Sequence, residues 1–152
     1  MMLENYDPLI IFNDKISTVH DRIQHETNQT RIFLNALFNQ TLQESKTRKK
    51  YCEICLVRHV SFEGHHVAGR KHDHRQITAC IPCHNILTGT QKLWDSRWWD
   101  ETESEVLRLS FLYHGVYDVL KLISAKRQDS LYSQIADSII PMVSYLQNGA
   151  QN

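Results

Sequence analysis

Apolar residues recur at steps of three and four through the first part of the chain, between residues 13 and 42. Neither Gly nor Pro interrupts the pattern, which comprises Ile16, Val19, Ile23, Phe33, Leu34, Leu37, Phe38 and Leu42. This spacing places the apolar side chains on one face of a helix. Because residues 24–29 are polar all round, the pattern predicts either one long amphipathic helix or two shorter ones.

A second set of apolar positions lies near the C-terminus and predicts further helices. Thr102 and Glu105 have the spacing of a capping box, which marks the start of a helix. The helix that it opens carries Val106, Leu107, Leu109, Phe111, Leu112, Val116, Val119, Leu120 and Ile123. Asp129 or Ser130 is expected to cap a last helix. Pro141 is expected to kink or restart that helix, because proline lacks a backbone donor and its ring clashes with the preceding turn.

The segment between the helical parts contains all four cysteines of the protein. Residues 51–85 read YCEICLVRHVSFEGHHVAGRKHDHRQITACIPCHN, with Cys52 and Cys55 forming one Cys-x-x-Cys pair and Cys80 and Cys83 the other. Two residues between cysteines let one tight turn aim both sulfurs at a single ion. Four thiolates at this spacing therefore predict a tetrahedral structural zinc.

Two other uses of four cysteines fit the sequence less well. Disulfides form in oxidising compartments, and the N-terminal residues MMLENYDPLI lack the basic and apolar regions of a secretory signal. A redox Cys-x-x-Cys needs only one pair and leaves the second without a role. Apolar residues make up 41% of the chain, but no apolar run approaches the roughly 20 residues of a membrane span. A cytoplasmic protein without membrane association is therefore expected.

The formal net charge is zero, but the charges are unevenly distributed. Residues 46–97 contain ten Lys and Arg against four acidic residues, an excess of six positive charges on the cysteine-containing segment. A polyanion such as nucleic acid would dock on a segment of this kind. When residues 46–50 are taken alone, a solvated run of charges explains them equally well.

These patterns divide the chain into an N-terminal helical segment (residues 1–45), a zinc-stapled finger (46–97) and a C-terminal helical segment (98–152). The expected fold is mainly α, with a small zinc finger flanked by a long N-terminal helix and by C-terminal helices. Trp94 and Trp98, on either side of the boundary at 97/98, are expected to pack against the zinc module rather than to stack on bases. The dense apolar run from residue 107 to 123 also suggests a homodimer through the helical flanks.

Three histidines stand at specific positions relative to the cysteine pairs. His65 and His66 follow the first pair in FEGHHVAG, which is expected to form a strand with adjacent side chains on opposite faces. His84 directly follows the last cysteine, at the start of the expected finger helix. If the cysteines saturate one zinc, these imidazoles are free to hold a second cation and to supply a general base. A cation and a base are the minimal equipment for phosphodiester hydrolysis.

The order C-x-x-C, then HH, then C-x-x-C-H resembles the HNH, or ββα-metal, endonucleases, in the subset whose fold is stapled by a four-cysteine zinc. The resemblance covers residues 51–87, about a quarter of the chain. It implies an HNH-like (treble-clef-like) finger in which His65 and His84 hold a catalytic divalent cation, Mg, Mn, Ni or Zn, and His66 is the general base. The four cysteines would then be purely structural. The implied substrate is nucleic acid, with DNA favoured.

The chain departs from this family in the loop between the hairpin and the finger helix. The family usually carries a central Asn there, which orients the base, whereas this chain reads KHDHRQ. The candidate replacements are His72, Asp73 and His74, since each can hydrogen-bond locally.

The same loop carries candidate phosphate contacts. These are Arg70, Lys71 and Arg75, for which surface solubility is the alternative role. The alternative function for the whole chain is a non-catalytic zinc-finger module that binds nucleic acid or a protein partner. A third hypothesis is a helical interaction protein whose finger only caps the bundle.

Overall fold

The computed structural model describes residues 8–38 and 49–150. The chain separates into two units, Met1–Asn39 and Gln40–Asn152. The described part is mainly helical, with one two-stranded sheet and a cluster of four cysteines. None of the helices in this part combines the length and the apolar character needed to cross a membrane.

The first unit contains one long helix, α1, which spans Pro8–Phe38. Pro8 occupies its first turn, where a missing backbone N–H costs no hydrogen bond. The helix runs without a break through the polar residues 24–29, so the single-helix alternative is the one observed. The predicted extension to Leu42 and residues 46–48 of the run of charges lie outside the described residues, as does the predicted boundary at 45/46.

The second unit begins with a hairpin and a short helix. Strands β1 (Phe62–His66) and β2 (Gln76–Cys80) pair antiparallel, with His65 opposite Ile77. Helix α2 (Ile81–Gln91) follows β2 directly, and Cys80 is its N-cap residue. The strand expected around the two histidines and the helix expected after the last cysteine are therefore both present.

Two long helices complete the second unit. Helix α3 spans Glu105–Arg127 and packs against α4, which spans Ser130–Gly149. The N-cap of α3 is Ser104, whose hydroxyl accepts a hydrogen bond from the Leu107 N–H. Thr102 instead accepts from the Ser104 N–H, so the capping box predicted at Thr102 is wrong by two residues.

The start of α4 agrees with one of the two predicted caps, and its interior shows no restart at Pro141. The Asp129 carboxylate accepts a hydrogen bond from the Leu131 N–H and caps the helix. The helix then continues across Pro141 to Gly149 and does not restart there.

The apolar run on α3 forms the core of the second unit. Its buried members are Leu107, Phe111, Leu112, Val116, Val119, Leu120 and Ile123. These seven side chains pack within their own unit, whereas Leu109 of the same run is exposed. Gly115 brings the helix against the loop after β1, because a Cβ atom at this position would lie 1.8 Å from the Val67 carbonyl oxygen.

Trp98 packs against the finger as expected, whereas Trp94 packs against α3. Trp94 is buried, donates its Nε1–H to Asp118 Oδ2 at 2.8 Å, and stacks on His114 with 4.4 Å between ring centroids. Burial raises the pKa of Asp118 to about 6. Trp98 lies in a short 3-10 helix (Ser96–Trp99) and donates its Nε1–H to the Ala68 carbonyl at 2.9 Å. The predicted boundary at 97/98 falls inside this short helix.

Candidate functional site

The first cysteine pair lies in a tight turn that aims backbone N–H groups at sulfur. The N–H groups of Ile54 and Cys55 approach the Cys52 sulfur, with nitrogen to sulfur distances of 3.4 and 3.5 Å. The turn is closed by two backbone hydrogen bonds, from the Leu56 N–H to the Cys52 carbonyl and from the Cys52 N–H to the Val57 carbonyl. Burial opposes ionisation of the Cys52 thiol, but backbone hydrogen bonds outweigh it and the pKa of Cys52 is lowered.

The second pair is brought to the first by the junction of β2 and α2. Cys80 ends the strand and Cys83 lies in the first turn of the helix. The four Sγ atoms all lie within 4.8 Å of one another, and the Cys55 and Cys80 sulfurs are 3.7 Å apart. A tetrahedral zinc with Zn–S bonds of about 2.3 Å requires sulfurs roughly 3.8 Å apart. The cysteine cluster therefore has the size and the donor set of a structural zinc site.

A buried carboxylate holds the first cysteine turn against β2. Glu53 accepts a hydrogen bond from the Thr78 N–H at 2.7 Å, and its own N–H donates to the Thr78 carbonyl at 2.8 Å. Its other carboxylate oxygen pairs with the Lys49 ammonium. Because this carboxylate is buried and fully partnered, it contributes to the fold of the finger rather than to binding.

An arginine at the end of α3 holds the same turn from the other side. Arg127 donates from Nε to the Ile54 carbonyl at 2.8 Å and from Nη2 to the Glu53 carbonyl at 2.7 Å. Its guanidinium also lies over the Tyr132 ring, 5.4 Å from the centroid. Both carbonyls belong to the Cys52–Cys55 turn, so hydrogen bonds connect α3 directly to the cysteine cluster.

We expect Arg127→Ala to lower the free energy of unfolding by about 2 kcal/mol, because it removes two charge-assisted hydrogen bonds and leaves the carbonyls of Glu53 and Ile54 without their partner. Urea unfolding of the zinc-loaded protein measures this change. Lys126→Ala is the matched control, since Lys126 is the exposed neighbour of Arg127 on the same helix. Equal free energies of unfolding for the two variants would show that the hydrogen bonds from Arg127 do not stabilise the protein.

Two of the three candidate histidines are brought together by β1 and α2. The ring centroids of His65 and His84 are 5.4 Å apart and the rings are nearly perpendicular. His65 is 3% exposed, and burial, followed by the proximity of His84 and His66, lowers its pKa to about 4. His65 is therefore neutral at pH 7, which is the form of imidazole that binds a metal ion.

A carboxylate that the sequence analysis did not single out lies beside these rings. Glu63 Oε2 is 3.2 Å from His84 Nδ1, although the two atoms are not aligned for a good hydrogen bond. Glu63 and His65 are two residues apart on β1, so a strand places their side chains on the same face. Because side chains alternate between the two faces of a strand, the sequence could have identified Glu63 from its position two residues before His65.

The third histidine, His66, is half-buried at the end of β1. Burial is the largest effect on its ring and lowers its pKa, while the backbone and carboxylate of Asp73 act in the opposite direction. The ring is thus biased towards the neutral form that can accept a proton. Its Nδ1 makes no hydrogen bond of good geometry within the described residues.

The backbone that carries His66 is held from several directions. The buried Gln91 amide donates to the His66 carbonyl at 2.8 Å and to the Val67 carbonyl at 3.1 Å. Gln91 lies seven residues after His84 on α2, which places both side chains on one face of that helix. Gly69 closes the segment with a φ of +92°, and Trp98 packs where a Cβ atom would lie. The position of His66 is therefore fixed relative to His84 through α2.

The three candidates for the missing central Asn occupy different environments. His72 is buried, its Nε2 lies 2.7 Å from the Trp98 carbonyl oxygen, and its ring packs on Phe111, so it contributes to the core. His74 is exposed. Asp73 accepts a hydrogen bond from the Arg75 N–H at 2.8 Å and is the only one of the three that raises the pKa of His66.

The three residues predicted to contact phosphate differ in the exposure of their side chains and in the partners that those side chains already have. Arg75 is 12% exposed and lies 3.3 Å from the Asp73 carboxylate. Lys71 is exposed, and its ammonium donates to the Trp99 carbonyl at 2.7 Å. Arg70 is exposed, and its charge lies near enough to His66 to lower the pKa of that ring. Of the three, Arg70 is therefore the exposed residue whose charge lies near His66.

The site thus offers a sulfur cluster for a structural ion and, separately, imidazoles and a carboxylate. In residues 8–38 and 49–150, the four cysteines are the only group of three or more His, Cys, Asp or Glu side chains whose ligand atoms all lie within 4.8 Å of one another. His65, His84 and Glu63 form a looser set.

No protein-family model matches the chain, and neither a curated protein nor a solved structure matches it significantly.

Proposed function

We propose that the chain is a metal-dependent endonuclease of the HNH, or ββα-metal, type, and that it hydrolyses phosphodiester bonds of nucleic acid, with DNA the expected substrate. The observation that carries the proposal is the approach of His65 to His84, with His66 adjoining, next to a cysteine cluster that does not need them. The element order β1, β2, α2 supports an HNH-like finger.

His65 and His84 are the residues that would hold the catalytic cation. One imidazole comes from the strand and one from the helix, and the His65 ring is buried and neutral at pH 7. When bound, a divalent cation polarises the scissile phosphate and offsets the charge that develops on it. Glu63, 3.2 Å from His84 Nδ1, is placed to orient the His84 ring, as carboxylates do for metal-binding histidines.

His66 is the proposed general base. It takes a proton from a water molecule as the water oxygen forms a bond to phosphorus, and the bond from phosphorus to the 3′ oxygen breaks. Burial lowers the pKa of His66 and so favours the unprotonated ring, and the hydrogen bonds from Gln91 hold the backbone that carries it. Arg70, whose charge lies near His66, is the residue proposed to contact a phosphate of the nucleic-acid strand that is cut.

The ligand set favours some cations over others. Imidazole suits zinc and nickel, whereas magnesium prefers oxygen ligands. With two histidines and one nearby carboxylate, we expect activity with Mn²⁺, Ni²⁺ or Zn²⁺ to exceed activity with Mg²⁺.

The test is cleavage of supercoiled plasmid by the zinc-loaded protein, with Mg²⁺, Mn²⁺, Ni²⁺ or Zn²⁺ titrated separately. We expect nicked or linear plasmid that depends on added cation, and at least a tenfold higher cation requirement in His84→Ala, because a direct ligand is lost. Asn85→Ala is the matched control, since Asn85 is the exposed neighbour of His84 on α2. If no cation supports cleavage, the proposed nuclease activity is wrong.

A binding measurement separates the alternative function. Salt-sensitive binding of plasmid without cleavage would favour a non-catalytic zinc module, because phosphate contacts release counterions. An absence of both binding and cleavage would favour a protein-interaction role.

A further inference from the structure

The cysteine cluster is not shielded from solvent equally on all sides. Cys52, Cys80 and Cys83 are buried, with 0, 4 and 1% of their surface exposed, whereas Cys55 is partly exposed. The Cys52 sulfur is also covered by the backbone N–H groups of Ile54 and Cys55. The side of the cluster formed by Cys55 is therefore the side that solvent reaches.

A cavity of about 340 Å³ adjoins this side of the cluster. Cys55 and Cys80 line the cavity, together with Val57, Val60 and Lys126. The cavity opens to solvent, because Val57 and Val60 are 38 and 48% exposed and Lys126 is exposed as well. A water molecule occupies about 30 Å³ in the liquid, so there is room for a small peroxide beside Cys55.

The surroundings of Cys55 favour reaction of its sulfur when zinc is bound. Without the ion, burial is the main effect on the Cys55 thiol and raises its pKa. Coordination by zinc deprotonates a thiol, so the sulfur is a thiolate in the loaded cluster. Lys126 adds a positive charge to the cavity, and none of the residues that line it is acidic. Oxidation-sensitive cysteines lie in partly exposed, electropositive surroundings of this kind.

We propose that Cys55 is an oxidation site of the zinc cluster, attacked by a peroxide, and that Cys80 then forms a disulfide with it. The Cys55 thiolate attacks one oxygen of the peroxide, a sulfur–oxygen bond forms, the oxygen–oxygen bond breaks, and hydroxide leaves. The peroxide is reduced, and the oxidised sulfur is a sulfenic acid. The Cys80 thiolate then attacks this sulfur, so a sulfur–sulfur bond forms, the sulfur–oxygen bond breaks, and a second hydroxide leaves. Both hydroxides take up protons from solvent and become water.

Cys80 is the cysteine best placed to form this disulfide. Its sulfur is 3.7 Å from that of Cys55, which is about van der Waals contact, and both residues line the same cavity. The disulfide would leave only Cys52 and Cys83 as thiolate ligands. Zinc would then be released, because a structural site holds the ion with four ligands. The proposal requires zinc in the cluster but not nuclease activity, so either can fail without the other.

The experiment treats the zinc-loaded full-length protein with hydrogen peroxide and follows the released zinc with a metallochromic dye. The wild type is expected to release one zinc per chain, and peptide mapping by mass spectrometry is expected to find a disulfide between Cys55 and Cys80. Cys55→His should keep one zinc, because three cysteines and one histidine also form a structural site. It should release that zinc at least tenfold more slowly, because the accessible sulfur is gone.

Cys52→His is the matched control, because it also exchanges one sulfur for an imidazole but keeps Cys55 and Cys80. It should release zinc at about the rate of the wild type. The proposal is wrong if Cys55→His releases zinc as fast as Cys52→His, if the disulfide of the oxidised wild type excludes Cys55, or if peroxide leaves the wild-type cysteines reduced. If a histidine variant does not hold zinc, the disulfide map of the wild type decides by itself.

Discussion

Cys52→Ser should leave the finger unable to retain zinc and should unfold it. A structural zinc contributes about 10–16 kcal/mol in small modules at neutral pH, which equals or exceeds the roughly 5–15 kcal/mol by which whole domains are stable. Two five-residue strands and an eleven-residue helix bury too little apolar surface to replace that contribution. Metal analysis and far-UV circular dichroism of the purified variant measure both consequences.

The control for this experiment must change the same turn without removing sulfur. Val57→Ser does so, because Val57 is exposed and adjoins the Cys52–Cys55 turn, and its side chain is not a metal ligand. We expect Val57→Ser to keep one zinc per chain and a cooperative unfolding transition. If Cys52→Ser also keeps both, the cluster is not what stabilises the finger.

The second large effect is expected at His66. His66→Ala should lower the rate of plasmid cleavage by about 100- to 10,000-fold, the usual contribution of a general base. The zinc content and the unfolding transition should stay near those of the wild type, because His66 belongs neither to the cysteine cluster nor to the buried core. The measurement is the initial cleavage rate at saturating cation, compared between His66→Ala and the wild type.

His59→Asn is the matched control for His66→Ala. His59 is an exposed imidazole in the same finger, and asparagine tolerates the left-handed backbone at this position, where φ is +59°. Its loss should change the rate by no more than a few-fold. Cleavage by His66→Ala at the wild-type rate would remove His66 from the mechanism, even if the protein proves to be a nuclease.

The local features of the site could be predicted from sequence because they depend on short spacings. Two residues between cysteines let both sulfurs of a pair face one ion, and the four sulfurs lie together as that spacing predicts. The strand containing His65 and the helix containing His84 were predicted for the same reason. The helix cap was misplaced because the sequence TESE contains two hydroxyl residues suited to the role, and only the packed structure selects Ser104.

Contacts between distant parts of the chain could not be predicted in this way. Arg127 lies 73 residues from Ile54 in the sequence, and no periodicity indicates that the two meet. Nor does periodicity show which apolar face finds a partner within the chain. Apolar residues recur at helical spacing on both α3 and α1, but most of those on α3 are buried, whereas Ile16, Val19 and Ile23 of α1 are exposed. The difference arises from tertiary packing, which local spacing does not encode.

The positions of the tryptophans make intrinsic fluorescence a probe of one region of this protein. All three lie within residues 94–99, and Trp94 stacks on His114 while donating to the Asp118 carboxylate. Intrinsic fluorescence therefore reports almost entirely on the contact between the hairpin and α3, with no background from indoles elsewhere. Detachment of the finger from the long helices would change emission even if every helix stayed intact, so partial and complete unfolding could be distinguished without a label.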